Sequence, residues 1–230
     1  MTTIAGIDGC RAGWLCIFQE PQTSEVFPTI ADVFAAAPEL QVLAIDIPIG
    51  LTEAGARECD VAARRRLGPG RAPSVFAAPI RPALNAESYA AACDAAFRAQ
   101  GKKLSKQSWA IYPKIRQVDE LLRGRPELRE RIYEVHPEVT FAEWSGSAIV
   151  EPKKKQAGFA PRHELVNGHF GDGAYETVRA RYTRKDVAND DILDAFAALW
   201  TAQRILRGVA RSLPAEPLLD AAGLPMRIVT

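Results

Sequence analysis

The four cysteines, Cys10, Cys16, Cys59 and Cys93, contain no Cys-x-x-Cys pair, so the spacing that marks a zinc site is missing. Two of them sit in apolar strand stretches, and no disulfide framework is indicated; a reducing compartment suits them best. Charge excess is also lacking. With 29 Lys and Arg against 28 Asp and Glu, no global field draws in nucleic acid or an anionic membrane, and a polyanion would have to meet a local patch. The start of the chain lacks a basic segment followed by an apolar one, and no apolar run is long enough to span a bilayer. Internal repeats and low-complexity segments are absent too. Together these absences predict a cytoplasmic protein with no membrane partner. What is present is 47% hydrophobic residues in 230, enough for a sizeable core. The length predicts one domain over 1–230 rather than two.

The organising stretch is the first strand and its turn, 4–14. Alternation along a strand puts Ile4, Gly6 and Asp8 on one face and Ala5 and Ile7 on the other, so Asp8 marks the point where the strand leaves the core. Asp before Gly is also a common turn pair, which gives Asp8 a purely structural alternative. Gly9 and Gly13 let the backbone turn and return 14–18 antiparallel, and 25–27 adds an edge strand. Thr29 caps a predicted helix over 30–37. The continuous apolar run 42–47 reads as a strand buried on both faces. Reached by a helical crossover, it pairs parallel with the first strand, and Asp46 then ends beside Asp8 on the same sheet edge.

The stretch 52–131 reads as a helical insertion, with helices over 57–67 and 86–100 and further helical texture after Ser105. Between the first two lies a Pro-punctuated loop, 70–82, too apolar for a plain linker and too rich in proline for a helix; it suits a lid or channel wall. Arg57, Arg64, Arg65 and Arg66 read as a solvated helix face. The run 131–137 is the last clear strand, with Glu134 and His136 on one face and Pro137 opening a helix. Lysines 153–155 read as an exposed loop, and 163–170 and 173–181 as helices. A final long helix is predicted over 189–211. At 100° per residue Asp191, Ala195, Ala198 and Ala202 share a small apolar stripe suited to close packing on the sheet, with Asp194 at its margin. The run 226–229 suits an edge strand.

Asp8, Asp46, Asp191 and Asp194 are thus expected to converge. Clustered carboxylates repel, and burial raises their pKa values; Mg²⁺ or Mn²⁺, which take oxygen ligands, would remove that penalty. Acids in the first turn of a helix also complement its dipole, a simpler role open to Asp190 and Asp191. Glu134 and His136 are added as candidate catalytic groups, and Arg11, Arg71, Ser74 and Arg81 as candidate substrate contacts.

Several motifs in order, IAGIDGCRAGW (4–14), AIDIPIGL (44–51), Arg57-Glu58-Cys59-Asp60 running to Leu67-Gly68, PSVFAAP (73–79), EVHPEVTF (134–141) and DDILDAFAALWTA (190–202), resemble the DUF429 family. That resemblance implies a ribonuclease H-like α/β fold, a mixed sheet of antiparallel meander plus parallel strands with flanking helices. It further implies a metal-dependent nuclease whose metal is held by Asp8, Asp46 and the Asp190/Asp191/Asp194 cluster. A domain that binds nucleic acid or a nucleotide without cutting it is the alternative. An actin-like phosphotransferase ranks last, because Asp8-Gly9-Cys10 does not match the usual phosphate loop and the chain is short for two lobes.

Overall fold

The computed structural model describes residues 3–20 and 22–230. β1 (Thr3–Cys10) and β2 (Gly13–Phe18) form an antiparallel hairpin, and β3 (Thr23–Phe27) pairs antiparallel with β2 as the edge. Gly13 takes φ +143° against the Phe27 carbonyl, where a Cβ would stand 2.1 Å from the oxygen, so this turn requires glycine. Thr29 caps α1 (Ile30–Ala36), its side chain accepting from the Asp32 N–H while the Asp32 carboxylate accepts from the Thr29 N–H. β4 (Leu40–Ile45) returns parallel to β1, so Asp46 lies just beyond the strand.

From there the chain forms α2 (Glu58–Leu67), α3 (Arg81–Leu84), α4 (Tyr89–Gln100), α5 (Lys106–Ala110) and α6 (Tyr112–Gly124). Ile80, Ala83, Ala92, Ala96 and Tyr112 form a small core of their own, while Ile115, Val118 and Leu122 of α6 join the core under the sheet. β5 (Ile132–Glu134) adds in parallel to β4, giving a five-stranded mixed sheet in the order β3-β2-β1-β4-β5. α7 (Pro137–Trp144), α8 (Gln156–Phe170), α9 (Ala174–Arg179) and α10 (Asn189–Leu206) follow. β6 (Ser212–Leu219) and β7 (Pro225–Val229) pair antiparallel in a separate two-stranded sheet.

Strand alternation decides the two faces. Ala5, Ile7, Leu43 and Ile45 pack toward α1 and α6; Ile4, Val42 and Ala44 pack toward α10, which is buried from Ile192 to Ala202. Gly6 permits that contact, since a Cβ on it would lie 2.0 Å from the Leu199 nitrogen and 2.3 Å from the Ala195 carbonyl oxygen. Two expectations are corrected. α10 stops at Leu206 rather than near 211, because Gly208 turns at φ +69° and the Arg211 N–H already donates to the Thr230 carbonyl. α8 begins at Gln156 rather than 163, with Pro161 inside it and the Arg162 guanidinium reaching back to the Gly158 carbonyl. Among the described residues, no helix is long and apolar enough to cross a membrane.

Candidate active site

Because Ile7 pairs with Ile45 in the parallel register, the next positions, Asp8 and Asp46, emerge side by side where the two strands leave the core. The Asp46 N–H donates to the Ile7 carbonyl at 3.2 Å, which holds the two strand ends together. α10 lies over the same face and brings Asp191 and Asp194. The Asp8 carboxyl is pushed well above its usual range by burial first, then by Asp194, Asp46 and Asp191. Burial and then Asp194 likewise push Asp46 well up. Asp191 is raised by burial against the Ala188 N–H, which donates to it at 2.7 Å, so this acid also serves as a helix cap.

Two cations act on these acids: Lys114, on the cleft lining, faces Asp8 and Asp191 through charge, and Lys153 contacts Asp194. The sequence suggests an exposed loop for Lys153, but its side chain is only 22% exposed and its ammonium donates to the Asp194 carboxylate. Burial alone would lower the Lys153 pKa; Asp194, Asp8 and Asp46 outweigh it and hold the ammonium charged. Two features place it there. The Arg162 guanidinium, wholly buried, donates to the carbonyls of Ile149 and Glu151, and Gly158 lets the 151–152 backbone lie where a Cβ would stand 2.3 Å from the Pro152 oxygen. Carboxylate oxygens are the donors that Mg²⁺ and Mn²⁺ take, and the buried Asp194 Oδ1 has no partner. As arranged, however, no three His, Cys, Asp or Glu among the described residues form a metal-holding group. Lys153 supplies the neutralising charge in their midst.

A second layer of charge stands alongside. Arg57 is buried, not on a solvated face: it donates to both Glu134 oxygens at 2.7 Å and also pairs with Asp60. The remaining arginines of that helix diverge as well, Arg64 donating to the Val75 carbonyl while Arg65 stays exposed. Burial raises the Glu134 pKa and Arg57 pulls it back toward the ionised form, the two together leaving it at about 7. Glu134 also accepts from the Ile49 N–H at 2.7 Å, so it holds the chain leaving β4. Glu138 lies between the guanidiniums of Arg162 and Arg71, the latter 3.1 Å away. His136 Nε2 meets the Ser74 carbonyl oxygen at 3.3 Å and therefore carries the hydrogen, leaving a buried Nδ1 with no partner. Burial lowers the His136 pKa, so its ring is neutral near pH 7.

These groups border a cleft of about 440 Å³. Asp8, Asp46, Glu134, His136, Arg71 and Ser74 line it; Asp191 and Asp194 do not, but act on Asp8 through charge. The Pro-punctuated loop contributes Val75 and the exposed Phe76 to its wall. Arg81 lies elsewhere, tied to Asp119 and Asp220 beside a separate groove with Arg123 and Arg129. Arg11 is exposed in the β1–β2 turn and is not part of the lining. Lys153, Glu138 and Phe76 were missed as site residues. Glu138 and Phe76 fall inside two of the resembling motifs, which was a usable signal; for Lys153, one of three successive lysines, there was none.

A family model described as a protein of unknown function (DUF429) matches residues 6–218, nearly the whole chain. Nothing matches among curated proteins, and nothing among solved structures.

Proposed function

We propose, for a chain that belongs to the DUF429 family, that it hydrolyses phosphodiester bonds of nucleic acid with Mg²⁺ or Mn²⁺. The observation that carries this reading is the convergence of Asp8, Asp46, Asp191 and Asp194, drawn from three separate segments into one mutually repelling group, Asp8 and Asp194 buried and Asp46 and Asp191 half-buried, beside a cleft. A face that only holds phosphate is built from Arg, Lys and backbone N–H groups, because bare carboxylates repel phosphate unless a cation lies between them. The mixed sheet, antiparallel from β3 to β1 and parallel from β1 to β5, agrees with the ribonuclease H-like fold that the sequence resemblance implies. That agreement supports the fold reading more than the reaction.

Asp8, Asp46 and Asp194, which form no metal-holding group while Lys153 contacts Asp194, are the residues that would hold a metal taking the place of that ammonium, with Asp191 adding charge beside them. When bound, a divalent ion lowers the pKa of a water and neutralises charge on the reacting phosphate. The chain's own groups supply the rest. The neutral His136 ring, oriented through Nε2–H on the Ser74 carbonyl, offers Nδ1 as a proton acceptor within the cleft wall. Arg71, shared with Glu138, faces the same cleft as a cationic contact for the substrate phosphate.

One observation favours a second reading: Lys153 already neutralises Asp194, as suits a domain that binds nucleic acid or a nucleotide without cutting it. A cleavage panel of single-stranded, duplex and branched DNA, RNA and RNA–DNA hybrid with Mn²⁺ or Mg²⁺ separates the two. Cleavage of at least one member is expected, with Asp46→Asn inactive yet folded. Inactivity of the wild type across the panel, with metal-independent binding to some member, would leave the binding reading.

A further inference from the structure

The acid cleft does not end at the acids. At Lys153, Lys154 and Asp190 it meets a second groove of about 560 Å³, which runs between the start of α8 and the segment joining α9 to α10. The lining of this second groove holds Lys153, Lys154, Lys155, Arg179 and Arg184 against one acid, Asp190. Five cations to one anion is a strong local bias in a chain whose formal net charge is +1. Arg179 is committed to the fold, donating to the carbonyls of Val187 and Tyr182 at 2.7 Å, and it holds that groove wall in place. Lys154, Lys155 and Arg184 are exposed. Among the described residues Lys154 and Arg184 enter no ion pair, and Lys155 has only a loose one, 4.0 Å from Glu151.

The acid cleft is also lined by Phe76, 54% exposed on the Pro-punctuated loop. An aromatic face left open in a charged cleft is the surface on which a nucleobase stacks, and such stacking is sequence-tolerant because every base has a π-face. Asp8 is only 8% exposed and lines a cleft of about 440 Å³, within the roughly 300–1,000 Å³ usual for small-ligand sites, so the reacting phosphate has to enter that cleft to reach it. A paired duplex keeps its bases stacked and its backbone on the outside of a broad cylinder. It can neither offer a base face to Phe76 nor lower one phosphate to Asp8 without being opened.

We propose that the substrate is a single, unpaired nucleic-acid strand, threaded with a base on Phe76, the reacting phosphate at the acids, and the following phosphates along Lys154, Lys155 and Arg184. Lys153 to Lys155 spans at most about 7 Å of chain, which carries positive charge from the acid group to the next phosphate along a strand. The inference rests on the reading of the acid cleft as a phosphodiester site, and it names the form of nucleic acid that site accepts.

The test is fluorescence anisotropy of a labelled dT15 strand and of a duplex of the same length, both in EDTA so that no cleavage intervenes. Wild type should bind the strand at least tenfold more tightly than the duplex. The K154E/K155E/R184E variant should lose at least tenfold, and its log–log salt dependence should fall by about 2, since each phosphate contact on a single strand contributes roughly 0.7 to the slope. The milder K154A/R184A variant should move the same way, and melting curves confirm that both remain folded. F76A should weaken strand binding with its salt slope unchanged. Equal strand binding by wild type and both charge variants would overturn the track, tighter duplex binding would overturn the single-strand assignment, and wild-type affinity in F76A would overturn the stacking platform. Hydrolysis of bis(4-nitrophenyl) phosphate by the wild type with Mn²⁺ reports the reaction separately. Its absence, with strand binding intact and lost in the charge variants, would end the nuclease reading and leave the track standing.

Discussion

At the scale of single residues, Asp8 and Lys153 oppose each other. A carboxyl whose folded pKa is raised destabilises the fold once it ionises. The penalty is absent below the unfolded value near 3.8, grows as pH rises toward the raised value, and is complete above it. Asp8→Asn removes that penalty along with a metal donor. At pH 7.5 without metal the variant should melt about 2–4 °C higher, the shift that ~1 kcal/mol gives in a chain of this size. Mn²⁺ should raise the melting temperature of the wild type and leave the variant unmoved; equal Mn²⁺ shifts in the two would place the metal elsewhere. Lys153→Met has the opposite sign. It strips the ammonium from Asp194 and leaves the acids facing one another, at a cost of about 2 kcal/mol, limited because the acids take up protons instead of staying ionised. Urea unfolding in EDTA should show that loss. The same variant should gain a larger Mn²⁺ stabilisation than the wild type, since no cation then contacts Asp194 directly; a smaller gain would mean that Lys153 helps the metal rather than replaces it.

Among the elements, the approach of α10 to β1 and of α8 to the 149–153 segment decides which groups meet. The first was legible: Gly6 shares a face with Ile4 and Asp8, and a stripe of alanines faces it, so a helix with Asp191 and Asp194 comes down on the strand that carries Asp8. The second was not: the sequence suggests a helix over 163–170 only, whereas α8 starts at Gln156 and carries Pro161, a residue disfavoured in helix interiors. What sustains α8 through Pro161 is tertiary, the Arg162 guanidinium bonded at once to Gly158, Glu151, Ile149 and Glu138. Gly158 is the sensitive point. In Gly158→Ala the new methyl meets the Pro152 and Glu151 carbonyl oxygens at 2.3 and 2.4 Å, so the backbone of the lysine segment has to move. Such overpacking costs about 1–3 kcal/mol, and moving the segment draws Lys153 away from Asp194. The variant should therefore resemble Lys153→Met in its enlarged Mn²⁺ response. A wild-type response combined with lower stability would show that the segment shifts without carrying Lys153 with it.

Over the whole molecule, the two-stranded sheet is joined to the chain leaving β4 through Asp220. Its buried carboxylate accepts N–H groups from Leu51 and Leu224 at 2.9 Å and from Ala222 at 2.8 Å, and it pairs with Arg81. Burial alone would raise the Asp220 pKa, but these donors together hold it below its usual value. A carboxyl lowered in the folded state contributes stability that is present above the unfolded value near 3.8 and is lost as pH falls through the lowered one. Asp220→Asn should therefore cost about 2 kcal/mol at pH 7, the scale of hydrogen bonds to a charged group, and the gap from wild type should close as pH falls below 3.8. Urea melts at pH 7 and pH 3 check it; a difference that persists at pH 3 would assign the loss to packing rather than charge.

Periodicity and punctuation alone determined the meander, the parallel return to β4, the cap at Thr29 and the inward face of α10, because each follows from local alternation and turn chemistry along a few residues. The pairing of Asp8 with Asp46 followed from the same rules, since a right-handed crossover leaves little choice of neighbour. Only the tertiary structure decided where the charges go. Arg57 looked like one of four solvated arginines, yet it is buried between Glu134 and Asp60; Lys153 looked like one of three solvated lysines, yet it sits with Asp194. Arg81 looked like a substrate contact, yet it joins Asp119 to Asp220. A long cationic side chain has no local signature of its destination, for it goes wherever distant segments bury a carboxylate that needs a partner.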